Sequence, residues 1–578
     1  MTFDVLICGG EVIDGENNPP KQVDVGITDG KIAAVGDLSS SQSGRTVDAS
    51  GKVVSPGFID MHSHADSTIH IYPSAENFLF QGVTTTVTGN CGFAPAPLTD
   101  YYAAGFWEWN WWEEVNPRKY DQEPIADLEK VRRAMQKHEG ADIEWDTFAS
   151  FLEYLKEQGT SINMAPLLGH NTIRTAAMGH DYRRHANQDE IDHMKSLVRE
   201  GMQAGAIGIS NGLDYAPGAF ASREELVEVV GQAADCDGIF ATHWRRTGLR
   251  QGTGSPVMIR GLTEALEIAS EAEAEQVQIS HLLPGYAVFP NPPGQLRKAS
   301  AELTIELLEE AIDEGTEVYW DVIPNTSGGV ISSRYLVNLL SPWLKQAETP
   351  ERFARNLCAP DLQDEIREYL ESGNWYTLNP VSNPGWASGI LISRHVNDDL
   401  VDRTLQEIAD ERSEDALSVL FSVLIEDPYT RSFPASGSAE GLKVFIEHPR
   451  TTIGLDTFAF DTTYEVTSPP FYLPHPNTYG GMPRFFNEFG IPQLGLQEAV
   501  HRVTGLPADI LGLKNRGKIA RGCWADIAIF SPDAYNGQAD FAEPRQYAQG
   551  IDYLLVNGKF SIDGGTLTDD KSGRTITR

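Results

Sequence analysis

The 578-residue chain is long enough for one large domain or two ordinary ones, and no apolar run in it reaches the length of a membrane span. Its 45 Lys plus Arg against 82 Asp plus Glu give a formal charge of −37, which disfavours nucleic acid and anionic membranes as partners because phosphate binding needs local positive charge. The five scattered cysteines, Cys8, Cys91, Cys236, Cys358 and Cys523, read as reduced thiols, and the acidic, strand-like N-terminus carries no basic, apolar leader, so a cytoplasmic location is expected.

Residues 1–56 carry short β-patterns, FDVLI, EVIDG and VDVGITDGKIAAVG, with Asp29-Gly30 as a hairpin turn. The same style returns in residues 514–578, where ADIAIF and YLLVNGKFSIDGG carry the turn Asn557-Gly558. Neither end can bury a core alone, so the two are expected to fold together into one small β-sandwich. Residues 57–513 follow the strand-like run Val53–Asp60 with seven more apolar runs: TTTVTGNCG, SINMAPLLGH, AIGISNG, GIFATHW, VQISHLL, EVYWDVI and TTIGLD. Amphipathic helical patterns separate them. Such alternation gives βα units, and about eight of them predict an α/β fold with a closed (β/α)8, TIM-like barrel. The stretch at about 100–122 breaks the pattern with Trp107, Trp109, Trp111 and Trp112, and reads as a lid, an acyl-binding wall or the contact of a homo-oligomer.

Polar groups of chemical interest fall at strand ends, where barrel active sites lie. If Val53–Asp60 is one strand, His62 and His64 project to the same side just past its end. Cys91 follows the next run, in GNCG; His243 ends GIFATHW, His281 ends VQISHLL and Asp456 ends TTIGLD. Imidazole, thiolate and carboxylate together favour Zn²⁺ over Mg²⁺ or Ca²⁺, which prefer all-oxygen shells. A thiolate can bridge two ions, and an aspartate at such a site can take a proton from water. No strand is followed by G-x-G-x-x-G or a P-loop, which leaves nucleotide and redox enzymes without support.

GFIDMHSHAD, QGVTTTVTGNCGFAPAPL, APLLGHNTIR, GAIGISNGLDYAPG, ATHWRRTG, QISHLL, HPNTYGGMPRF and GKIARGCWADIAIF resemble the N-acyl-D-amino-acid deacylases of the amidohydrolase superfamily over nearly the whole chain. The resemblance implies zinc-dependent hydrolysis of a small-molecule N-acyl-D-amino acid or related N-acyl compound by metal-activated water. It implies that Cys91, His243 and His281 hold one tightly bound zinc, and that His62, His64 and Asp456 match a second metal position. Asp456 also matches the residue that activates the water and protonates the leaving amine. Relatives that bridge their metals with a carboxylated lysine find no counterpart here, since Lys195 lies in a helical pattern. On the substrate side Tyr215 matches a family tyrosine, Arg245 and Arg246 offer a carboxylate clamp or a rim ion pair, and His170 ends a strand beside the site. Leu283 stands where relatives carry a lysine, Asp321-Val322-Ile323-Pro324-Asn325 lacks their tyrosines, and LDTF replaces SDG. Those departures keep open an amidohydrolase for a neutral, non-standard or cyclic amide without an α-carboxylate. A non-catalytic scaffold of the same fold, needing no stoichiometric zinc, is the remaining alternative.

Overall fold

The computed structural model describes residues 2–103, 111–116, 124–214, 216–246, 258–284, 294–326, 333–371, 385–434, 439–464 and 472–577. Eight strands organise it: β1 Phe58–Asp60, β2 Val83–Thr88, β3 Asn163–Pro166 with its continuation Leu168–Gly169, β4 Gly208–Gly212, β5 Ile239–His243, β6 Gln276–Ile279, β7 Glu317–Val322 and β8 Thr451–Ile453. Each pairs in parallel with the next. The ring closes where Met61 N donates to Ile453 O (3.1 Å) and Asp456 N to His62 O (2.8 Å). The result is the expected (β/α)8 barrel. Its strands are buried on both faces, β2 over all of VTTTVT, as parallel strands covered by helices must be. The covering helices have local stop and start signals. Asn187 and Glu190 form a capping box for Gln188–Ala204, which ends at left-handed Gly205, and Ser222 caps Arg223–Ala234.

The two chain ends form two sheets that share one apolar core, with Val5, Ile7, Val25 and Ile27 from the first end packed with Ile527, Ile529 and Leu555 from the second. A four-stranded sheet comes from the N-terminus alone; a seven-stranded one sets Val53–Pro56, Glu11–Val12 and Lys21–Gln22 side by side with the four C-terminal strands, joined where Val53–Pro56 pairs with Ile527–Phe530. Both foreseen hairpins occur. Asp29 and Gly30 (φ 51° and 74°) and Asn557 and Gly558 (φ 50° and 80°) place both turn residues in the left-handed region that a type I′ turn requires.

The run Val53–Asp60 is two strands, not the single strand its sequence suggests. Val53–Pro56 pairs with Ile527–Phe530 in the sandwich, whereas Phe58–Asp60 enters the barrel beside β2. The chain changes sheets at Gly57, where a Cβ would sit 2.3 Å from the Thr84 side chain. Between β7 and β8 lies an excursion within residues 57–513 that is not part of the barrel. Three of its strands, Ser333–Tyr335, Ile390–Arg394 and Arg431–Pro434, form a small antiparallel sheet with Tyr472–Leu473 from the chain after β8, and it has a separate core that includes Leu336, Leu340, Phe353, Leu405, Leu420 and Phe421. Phe433 of this sheet stacks on Phe541, with ring centroids 4.1 Å apart.

Of the aromatic stretch, Tyr101–Ala103 pairs with Ile125–Asp127, and Trp111 and Trp112 are buried in the main core. Trp107 and Trp109 lie outside the described residues. All five cysteines are free thiols. Among the described residues no helix is long and apolar enough to cross a membrane.

Candidate metal centre

The C-terminal mouth of the barrel gathers the six sequence-predicted donors. His62 and His64 come from the chain after β1, Cys91 from the turn after β2, His243 from the end of β5, His281 from just past β6 and Asp456 from just past β8. Three triads have donor atoms within 4.8 Å of one another: His62, His64 and Cys91; Cys91, His243 and His281; His62, His281 and Asp456. The triads share members, so they form one continuous cluster. Cys91 is its hub, with Sγ 3.4 Å from His62 Nε2, His243 Nδ1 and His281 Nε2. Asp456 Oδ1 lies 3.2 Å from His64 Nε2 and 3.5 Å from His62 Nε2.

Local backbone makes this convergence expensive in conformation. Among the described residues twelve non-glycine positions have left-handed φ, and Cys91 (53°), His281 (36°) and Asp456 (49°) are three of them. Such angles are uncommon away from Asn and Asp and persist only where the surroundings hold them. The glycines around Cys91 allow the approach. A Cβ at Gly89 would lie 2.1 Å from Leu167 O, and one at Gly92 would lie 2.5 Å from Asn171 Oδ1.

The six donors are between 0% and 6% exposed, so water cannot solvate their charges. Burial opposes a proton on His62 and His64. Yet the Cys91 and Asp321 charges raise His62 well above the ordinary imidazole range, and Asp456 with Cys91 carries His64 up to about 9. Burial pushes the Cys91 thiol up, but His62 and His64 outweigh it and bring the thiol below its ordinary value. Burial likewise opposes an ionised Asp456, and its imidazole neighbours hold the carboxyl well below the usual carboxylate range. Burial and the nearby charges of His243, Arg246 and His62 drive His281 well below normal. A thiolate and a carboxylate at the hub thus call for positive charge, supplied by protons or by a cation.

The donors fit zinc. Zn–S and Zn–N bonds of roughly 2.3 and 2.0 Å at a tetrahedral angle put sulfur and nitrogen donors about 3.5 Å apart, close to the 3.4 Å spacings around Cys91 Sγ. Side chains behind the donors also follow zinc practice, in which an outer carboxylate orients a ligand imidazole. Asp214 Oδ2 lies 3.4 Å from His243 Nε2, and Asp321 Oδ2 lies 3.5 Å from His62 Nδ1. Asp60 sits below, accepting from His62 N (3.2 Å), Leu455 N (2.8 Å) and Thr86 Oγ1 (3.1 Å), with burial lifting its carboxyl to about 7.

Residues 45–313 and 487–562 match the Amidohydrolase family. The chain belongs to the amidohydrolase family. It is 30% identical to the D-aminoacylase of Alcaligenes xylosoxydans xylosoxydans, over 100% of this chain and 98% of that enzyme. It is 28% identical to the N-acyl-D-glutamate deacylase of the same bacterium, over 96% and 93% of the two chains. A solved structure of D-aminoacylase, from work on the role of its binuclear metal centre in one-metal activation and second-metal attenuation, aligns over 100% of both chains with a TM-score of 0.70 and 29% identity. Within the amidohydrolases the chain therefore groups with the N-acyl-D-amino-acid deacylases, metal-dependent hydrolases of carbon–nitrogen amide bonds.

The substrate-side candidates fare unevenly in this amidohydrolase. Arg245 is engaged by Glu264 (3.0 Å) and donates to Ala219 O (2.9 Å), the rim ion pair rather than a free clamp. Arg246 lies against the centre, its Nη2 2.7 Å from His243 Nε2 and its Nε 3.3 Å from Asp214 Oδ2. His170 begins the helix after β3 and pairs with buried Glu225 (2.9 Å), which also receives Arg174 Nε (2.9 Å). Tyr215 lies outside the described residues. Leu283, two residues past His281, is 41% exposed. Lys195 lies within Gln188–Ala204 and pairs with Glu228. Asp60, Asp214 and Asp321 are the site residues that sequence reasoning missed as supports. Asp60, ending the run Val53–Asp60, and Asp321, in the C-terminal half of EVYWDVI, both carried a local strand-end signal.

Proposed function

We propose that this amidohydrolase cleaves the amide bond of N-acyl-D-amino acids, with Cys91, His243 and His281 holding one zinc and His62, His64 and Asp456 completing a second position. The observation that carries the reading is Cys91 Sγ standing 3.4 Å from three imidazole nitrogens, in a pocket that also presents the Asp456 carboxylate. Zinc held there supplies Lewis acidity toward the scissile carbonyl and the attacking water.

Asp456, kept ionised by its imidazole neighbours, accepts the proton of that water and returns it to the leaving nitrogen. His62 and His64 flank its Oδ1, so the carboxylate is oriented before substrate arrives. Burial of the donors keeps bulk water from competing with the one that reacts. Arg246, beside His243, meets the substrate carboxylate in this scheme, while Arg245 stays with Glu264.

A second reading, hydrolysis of a neutral or cyclic amide, draws support from exposed Leu283 past His281, where an apolar acyl or ring would sit. One experiment separates the two. Zinc per chain is measured on chelator-treated and reconstituted protein, together with amine release from N-acyl-D- and L-amino acids, neutral amides and cyclic imides. D-selective release supports the first reading; zinc with turnover of neutral or cyclic amides alone replaces it with the second. Protein that binds no zinc overturns both.

A further inference from the structure

We propose that Asp321 is a positioning residue that holds His62 and His281 as one unit, so that a single carboxylate sets the geometry of both halves of the metal centre. The inference rests on the zinc reading of the cluster and goes beyond the donor set. Asp321 is fully buried near the end of β7, and each of its carboxylate oxygens faces a different ligand segment. Oδ1 accepts from the backbone N of His281 (2.9 Å), a residue in the left-handed region at φ 36°. Oδ2 lies 3.5 Å from His62 Nδ1 and accepts from Gln278 Nε2 (3.1 Å). The backbone carbonyl of Asp321 also accepts from Leu282 N (2.8 Å), which fixes the chain on the far side of His281.

This arrangement decides a tautomer. Once a metal takes the place of the second imidazole proton, the carboxylate beside Nδ1 favours the remaining proton of His62 there, and Nε2 is left facing Cys91 Sγ at 3.4 Å and Asp456 Oδ1 at 3.5 Å. For His281 the same carboxylate works through the backbone, anchoring a strained φ so that Nε2 reaches Cys91. The pocket leaves no slack: a Cβ at Gly454 would lie 2.6 Å from Asp321 Oδ1 and 2.5 Å from His62 Cβ. Asp214 stands behind the His243 ring. Asp321 thus reaches the ring of one donor and the backbone of another in the other half, whereas Asp60 holds backbone alone at His62 and Leu455.

Two substitutions separate its two oxygens. Asp321→Asn keeps an acceptor for His281 N but sets an amide donor against His62 Nδ1, which drives the imidazole proton to Nε2 and removes that lone pair from the cluster. The same amide can donate to Gln278 Oε1, which has no hydrogen-bond partner, so the fold tolerates it. Asp321→Ala removes both supports. Gln278→Ala, which removes one donor to Asp321 Oδ2 but leaves both carboxylate contacts with the histidine segments in place, is the milder comparison.

The readouts are zinc stoichiometry, zinc affinity by chelator competition, and the absorption spectrum of the cobalt-substituted protein, none of which requires turnover. Asp321→Asn is expected to weaken the His62 half by about 10–100-fold and leave the half containing His281 nearly unchanged; Asp321→Ala weakens both. Gln278→Ala should weaken zinc less than Asp321→Asn does, because the carboxylate charge beside His62 remains. Wild-type affinity in both Asp321 variants overturns the inference, as does an equal loss in Gln278→Ala. Should Asp321→Ala not fold, Asp321→Asn decides alone, and an unchanged or a uniform effect on the two halves counts against the assignment. Failure of the substrate reading shows only in the amine-release panel, whereas a wild-type chain without zinc overturns the metal reading and this inference together.

Discussion

The core of the excursion between β7 and β8 and the mouth of the barrel are both dry, and they are built on opposite rules. In the excursion Leu336, Leu340, Phe421 and Leu424 are at most 1% exposed and every one is apolar. Its helices carry their own caps, with Thr404 and Glu407 boxing Leu405–Arg412 and Asp415 capping Ala416–Glu426. In the mouth the buried groups are imidazoles, a thiol and carboxylates, and three donors sit in left-handed backbone. The first region is stabilised by what it excludes from water. The second is held in place by the rest of the barrel and gains from a cation what it loses by desolvation. Function here has been set where the backbone is least at ease, and stability where local and tertiary preferences agree.

Breaking each region in turn sharpens the contrast. The largest effect is expected for Asp456→Asn, which should lower kcat by about 10²–10⁴-fold with zinc content retained; steady-state assay beside elemental analysis checks it, and full activity would remove Asp456 as the base. Phe421→Ala should cost about 3–5 kcal/mol in denaturant unfolding while the folded protein keeps its zinc. A matching fall in zinc affinity would mean that the two regions are coupled.

A pH series probes the mouth directly. In metal-free protein His64 titrates at about 9, above its unfolded value of about 6.5, so its protonated form contributes stability that is complete below about 6.5 and lost as pH rises through about 9. Thermal melts in chelator should fall across that window, and His64→Gln should flatten the profile; a wild-type profile that is already flat contradicts the assignment. Zinc displaces the same proton, so affinity should climb over the same interval. The smallest effect is expected at the rim. Arg245→Ala should change KM by no more than about twofold and stability by about 0–1 kcal/mol, because Glu264 already engages that guanidinium.

The barrel was legible because each of its strands announces itself locally, as an apolar run followed by a helical pattern. The break at Gly57 was not. Val53 to Asp60 looks uniform, and only the approach of Thr84, a residue on another strand, shows where the chain must change sheets. The excursion was hidden for a similar reason. Its strands are as short as Ser333–Tyr335 and its helices share the amphipathic pattern of those that cover the barrel, so nothing local marks them as a separate core.

The sequence by itself determined the turn at Asp29-Gly30, the turn at Asn557-Gly558 and the kinds of donor that end the strands, since turn chemistry and the two-residue period of a strand act between neighbours. Only the tertiary structure decided that Asp321 stands behind both His62 and His281, that Asp214 stands behind His243, and that Arg245 is bound to Glu264 at the rim. Asp321 and His62 are far apart along the chain, and a charge contact between such residues leaves no periodicity, cap or turn in the sequence. It exists because closing the barrel brings the ends of β1, β6, β7 and β8 to one mouth.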